Sequence, residues 1–132
     1  MNSELYWTVA SCLLTAVLFF PYVLQRIFRN GLGAALGNPP ANWSSVPEWA
    51  QRAKAAHVNA VENLVVFAPL VLSLQALHLS TPATRLAAQV YFWARLGHYL
   101  VFCAGVPGLR TVFFFLGLGC QVLLSLTGLG WI

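Results

Sequence analysis

The sequence predicts an all-α integral membrane protein, a four-helix bundle occupying residues 1–132 as a single domain. Three observations predict it. Hydrophobic types make up 59% of the 132 residues and charged types only 8%, against about 25% charged in a soluble domain, so a solvated surface cannot be built. The mean hydropathy is +0.73. The apolar residues fall in four continuous runs without period-two alternation, which favours helices over a barrel. Each run supplies the ~20 residues that cross ~30 Å of hydrocarbon.

The first run extends from Leu5 to about Phe28. No basic residue precedes it, Glu4 is acidic, and Phe19-Phe20-Pro21 is a poor small-residue cleavage site, so it reads as an anchor helix that is retained. Asn30-Gly31-Leu32-Gly33 and Asn38-Pro39-Pro40 mark the first and longest loop. The second helix starts at Ser45-Val46-Pro47-Glu48, with a cap, a proline in the first turn and an acid at the positive end of the dipole. It runs to about Leu79 and is apolar mainly from Leu64. Ser80-Thr81-Pro82 opens the third, Thr84 to about Ala104, and Gly105-Val106-Pro107-Gly108 separates it from the fourth, about Leu109 to Ile132. Tyr6, Trp7, Trp43, Trp49 and Trp131 suit the interfacial belts, whereas Trp93 suits packing.

Seven basic and three acidic residues give a net charge of +4. They are too scattered for a nucleic-acid surface. They do set an orientation. Arg26, Arg29, Arg52, Lys54 and Arg110 flank loops one and three, and only Arg85 lies on the other side. The positive-inside rule then places loops one and three in the cytoplasm and both termini outside. Cys12, Cys103 and Cys120 lie far apart in apolar stretches, which suits small buried residues better than a disulfide or metal set. A small multidrug exporter would need an acid inside the first span, and none lies between Glu4 and Arg26.

Ionisable groups at membrane depth need a reason. Glu62 and Arg95 would each cost roughly 2.5–3.5 kcal/mol if left alone. Both fall in the cytoplasmic half of their helices, so a Glu62–Arg95 ion pair is geometrically allowed. Arg52, Asn59 and Asn63 share one face of the second helix, with Glu62 at its border. His98 lies one turn from Arg95, Tyr91 and Tyr99 flank Arg95 at four residues either way, Arg26 ends the first helix and Arg110 begins the fourth. All four helices thus bring cations or amides to one layer, which suits a small multiply charged anion with carboxylates. It does not suit a metal, because His57 and His98 are isolated.

The stretch Ala56-His57-Val58-Asn59-Ala60-Val61-Glu62-Asn63 resembles the A-x-x-N-x-x-E signature on the second helix of the MAPEG family, membrane-associated proteins in eicosanoid and glutathione metabolism. Arg95-Leu96-Gly97-His98 and Gly105-Val106-Pro107-Gly108-Leu109-Arg110-Thr111 resemble its third helix and the turn into its fourth. The resemblance, closest to the small bacterial members, implies a homotrimer in a bacterial inner membrane. Glutathione would bind between subunits near the cytoplasmic side, and a lipophilic second substrate would arrive from the bilayer. It implies that Asn59 and Glu62 hold the peptide, that Arg26, Arg52 and Arg95 meet its carboxylates or brace Glu62, that His98 lines the site, and that Arg110 stabilises the thiolate. Phe102 and Phe114 stand where the eicosanoid enzymes tend to carry tyrosine, and Tyr99 could substitute for one hydroxyl from another helix face. The implied activity is a glutathione-dependent transferase or peroxidase; the alternative is a non-enzymatic lipid-binding or scaffold protein on the same fold.

Overall fold

The computed structural model describes residues 1–38 and 45–132, so Pro39, Pro40 and Trp43, expected in the first loop and its interfacial belt, lie outside the described residues. Five helical segments follow in order: α1 (Ser3–Val17), α2 (Phe20–Leu36), α3 (Glu48–Ala76), α4 (Pro82–Ala104) and α5 (Pro107–Gly128). α1 and α2 together form the first span, Ser3–Leu36. The helix is interrupted at Leu18-Phe19, just ahead of Pro21, which has no amide N–H to donate. The Leu18 carbonyl at this break accepts a hydrogen bond from the Tyr99 hydroxyl at 3.0 Å. α2 continues beyond Phe28, bending at Gly31, whose φ of 86° is open to glycine.

The other boundaries follow the punctuation of the sequence. α3 starts right after Pro47. Thr81 caps α4 in a capping box with Thr84, and Gly105 ends it at φ 79°. α5 begins at Pro107, two residues earlier than Leu109, because proline suits the first helical position. Ser3–Leu36, Glu48–Ala76 and Pro107–Gly128 are long and apolar enough to cross a membrane. α4 has 23 residues, but Arg85, Gln89, Arg95 and His98 dilute its apolar content. Its place in the bundle comes from packing against α1, α3 and α5.

Two apolar clusters make the core. One joins Phe67, Val71 and Leu74 of α3 to Ala87, Ala88 and Tyr91 of α4 and Cys120 and Leu124 of α5. There the Phe67 and Tyr91 rings stack at 3.7 Å. The other joins Leu18 to Ala53, Ala56, Ala60 and Tyr99. Alanines at this helical spacing let neighbouring backbones approach closely, the usual device where lipid removes the hydrophobic drive between helices. Between the clusters lies a layer of buried polar side chains.

The bundle end that carries the termini is tied by a second polar group. Glu4 is fully buried, and its Oε1 accepts from Ser80 Oγ at 2.7 Å and Thr84 Oγ1 at 2.8 Å. Cys120 is buried and Cys103 half-buried, as expected, but Cys12 is exposed, because its face of α1 turns away from the bundle. Trp93 is likewise exposed rather than packed inside.

Gly97 is where α4 and α5 come closest to needing glycine. A Cβ there would sit 2.6 Å from the Phe113 ring. Gly97→Val is therefore expected to destabilise the protein by about 1–3 kcal/mol, the usual cost of overpacking, read as a lowered melting temperature in detergent. An unchanged melt would show that Phe113 swings aside freely.

Candidate functional site

α3, α4 and α5 build the site between them. On α3, Arg52 and Asn59 stand two turns apart on a half-buried face. On α4, Arg95 and His98 are each only 3% exposed. On α5, Arg110, Thr111 and Phe114 occupy the first two turns, where a helix carries partial positive charge. Asn59, His98, Phe102, Arg110, Thr111 and Phe114 line one cavity of about 180 Å³. Phe102 also borders a second depression of about 360 Å³, lined by Glu48, Gln51, Arg52 and Ala55. The two therefore adjoin across a single ring, and the Arg110 guanidinium lies over that ring, 4.5 Å from its centre. The placement stabilises the cation by its π face and fixes it beside the cavity.

Arg52 is anchored by its Nε, which donates to the Cys103 carbonyl at the end of α4 at 3.1 Å. Gly105, in the left-handed conformation, leaves the room: a Cβ there would lie 3.3 Å from the Arg52 guanidinium carbon. The Arg52–Glu48 pair at 3.8 Å is on the surface and adds little.

The buried layer is a chain of oriented amides. Arg95 Nη2 donates to Asn59 Oδ1 at 2.5 Å. Asn63 Nδ2 donates to the Asn59 carbonyl at 2.9 Å and lies 3.3 Å from Asn59 Oδ1. Gln121 Nε2 in turn reaches the Asn63 carbonyl at 3.1 Å. Arg95 Nε and Nη1 find no partner among the described residues. His98 Nδ1 sits 3.4 Å from Arg95 Nη2.

The MAPEG family model matches residues 5–130. The chain belongs to the MAPEG family. No curated protein and no solved structure matches it. Of the residues in the helix-two motif, the R-x-x-H pair and the start of α5, Asn59, His98 and Arg110 line one cavity, with Arg52 in the depression beside it.

Glu62 and Arg95 do not pair. Glu62 is exposed on the outer face of α3 among exposed Val58, Val61, Val65 and Val66, while Arg95 is enclosed between α3, α4 and α5. Helical phase is the reason: Glu62 is three residues from Asn59, about 60° round the helix, enough to carry it off the buried face. Arg95 thus does not brace Glu62, and its short hydrogen bond goes to Asn59.

Arg26 stands apart too. It lines a different cavity, about 460 Å³, together with Arg29, Lys54, Tyr22 and Gln25, on the α2 side of α3. Its Nη2 donates to the carbonyls of Ala34 and Asn38 at 2.7 and 2.6 Å. The single cation-rich layer expected from the sequence is therefore divided by α3 into two. Tyr99 does not replace a missing hydroxyl, because its OH is committed to Leu18. Tyr91 is buried against Phe67, away from the cavity. Gln121 was not among the expected residues. A glutamine inside an apolar run at membrane depth is the same signal that singled out Arg95.

Proposed function

We infer that this MAPEG protein is a glutathione-dependent membrane enzyme, a transferase or peroxidase acting on a lipophilic electrophile or hydroperoxide. The observation that carries this reading is the cavity in which Arg110, His98 and Asn59 converge at the start of α5, with Arg52 across Phe102. At about 180 Å³ it is smaller than the ~300–1,000 Å³ of a typical small-molecule site. It suits the thiol end of glutathione, with the peptide running toward Arg52. A free thiol has a pKa of about 8.5, and a nearby cation or helix N-terminus lowers it. Arg110 and the first turn of α5 supply both. The thiolate then bonds to the electrophilic carbon as the leaving group departs with its electron pair.

The reading includes a homotrimer. Glu62, exposed at membrane depth, would cost roughly 2.5–3.5 kcal/mol against lipid, and a neighbouring copy relieves that cost. Glu62 and Arg26 would then serve the glutathione held by an adjacent protomer, which accounts for their position outside the cavity of their own. The reading also puts this end of the bundle in the cytoplasm with both termini outside, which the excess of basic residues at loops one and three supports.

Isothermal calorimetry on the detergent-purified protein tests the reading. Wild type is expected to release heat with glutathione, and Glu62→Gln to bind more weakly. A trimeric wild-type preparation that takes up no glutathione rules the reading out. One observation favours a second reading, a lipid-binding protein without turnover: Phe102 and Phe114 give the cavity two rings that carry no phenolic hydroxyl. Glutathione-dependent conversion of an aryl halide or a lipid hydroperoxide would exclude it.

A further inference from the structure

Asn59 has its chemical face set from behind. A guanidinium carries only donors, so the Asn59 side-chain atom that meets Arg95 must be the amide oxygen. Asn63 Nδ2 approaches the same oxygen at 3.3 Å, so both of its lone-pair directions are occupied. Gln121 holds Asn63 in turn, with Nε2 3.1 Å from the Asn63 carbonyl and 3.5 Å from its Oδ1. What remains of the Asn59 side chain is its NH₂, and Asn59 lines the cavity with His98 and Arg110.

The geometry points to Arg95 as a positioning residue that makes Asn59 a donor-only contact, so that the ligand group seated there must be an acceptor, a carboxylate or a peptide carbonyl, and never an ammonium. Arg95 does this from inside the bundle without touching the ligand. Its charge is also left uncompensated by any carboxylate among the described residues, which adds to the positive potential on the cavity. The inference rests on the glutathione reading and goes beyond it: it says which way the Asn59 amide must face, and which residue makes it do so.

Three variants test it by glutathione calorimetry and by the ultraviolet absorbance of the bound thiolate. Asn59→Asp keeps the size of the side chain and keeps an oxygen toward Arg95, but replaces the NH₂ by a second oxygen. It is expected to fold with an unreduced melting temperature and to bind glutathione on the order of tenfold more weakly, the equivalent of a lost hydrogen bond. It should also move thiolate formation to higher pH. Arg95→Lys and Arg95→Gln are compared with each other. A lysine ammonium only donates and still faces the Asn59 oxygen, whereas a glutamine amide donates or accepts and lets Asn59 turn over. Lysine is expected to retain affinity within about threefold and glutamine to lose on the order of tenfold. Two side chains of similar length that behaved alike would show a packing role and overturn the inference, as would an Asn59→Asp protein that binds like wild type. Loss of glutathione binding by the wild type itself would instead strike the functional reading, so the two failures are distinguishable.

Discussion

Arg110→Ala is expected to lower glutathione-dependent turnover about 100-fold while leaving the fold intact. A thiol moved by two pKa units corresponds to about 2.7 kcal/mol, or a factor of 100 in thiolate at a pH below both values. Arg110 is the side chain placed to do this. It lines the cavity, and the Phe102 ring holds its guanidinium at 4.5 Å. It sits in the first turn of α5, so its removal does not interrupt the buried amide chain of Asn59, Asn63 and Gln121. The absorbance of bound thiolate should disappear at neutral pH and return at higher pH, with glutathione affinity falling much less than turnover. Arg110→Lys should restore part of the rate, because it keeps the charge and loses the planar stacking. A variant with wild-type turnover would remove Arg110 from the reaction.

Arg95→Met should stabilise the protein and weaken glutathione binding at once. Arg95 is 3% exposed, has no counter-ion among the described residues, and leaves Nε and Nη1 without partners. A charge at membrane depth costs roughly 2.5–3.5 kcal/mol on insertion scales, and replacing buried ionic groups by well-packed apolar ones is often neutral or stabilising. Methionine fills similar volume, and Gly117, whose Cβ would meet the Arg95 chain at 3.6 Å, shows how closely that chain is packed. After the loss of the Asn59 bond is deducted, a net gain of about 1–2 kcal/mol is expected, seen as a higher melting temperature in detergent. Glutathione affinity should fall on the order of tenfold, since Asn59 is then free to present either end of its amide. A lowered melting temperature would show that the guanidinium holds α3 and α4 together. The predicted opposition between stability and binding is what a group retained for its action on a site would produce.

Much of the site was legible because ionisable residues inside apolar runs are so expensive that they announce themselves. That criterion singles out Glu62 and Arg95, His98 and Asn59 follow from their helical spacing to Arg95 and Arg52, and the structure brings Asn59, His98 and Arg110 into one cavity. The same criterion had room for Gln121, which completes the chain to Asn63. What misled was the assumption that polar residues at one depth share one place. Glu62 and Arg26 share the layer by depth, yet Glu62 is turned outward by 60° of helical phase and Arg26 lies across α3 in its own cavity. Tyr99 looked available as a hydroxyl, but the break before Pro21 leaves a carbonyl at Leu18 that claims it.

By itself the sequence determined the four apolar runs and the main breaks between them, because these depend on local matters: the length of an apolar run, the missing N–H of a proline, the φ freedom of Gly105. It also carried the family, since the helix-two motif and its companions are read in order along the chain. Only the tertiary structure decided which polar groups meet. The partner of Arg95 is Asn59 and not Glu62, and the difference in charge between those two is invisible to depth alone. The rotation of α3 about its axis settles it, and that rotation is set by where Ala53, Ala56, Ala60, Phe67 and Val71 bury, a matter of packing between helices that no single helix contains.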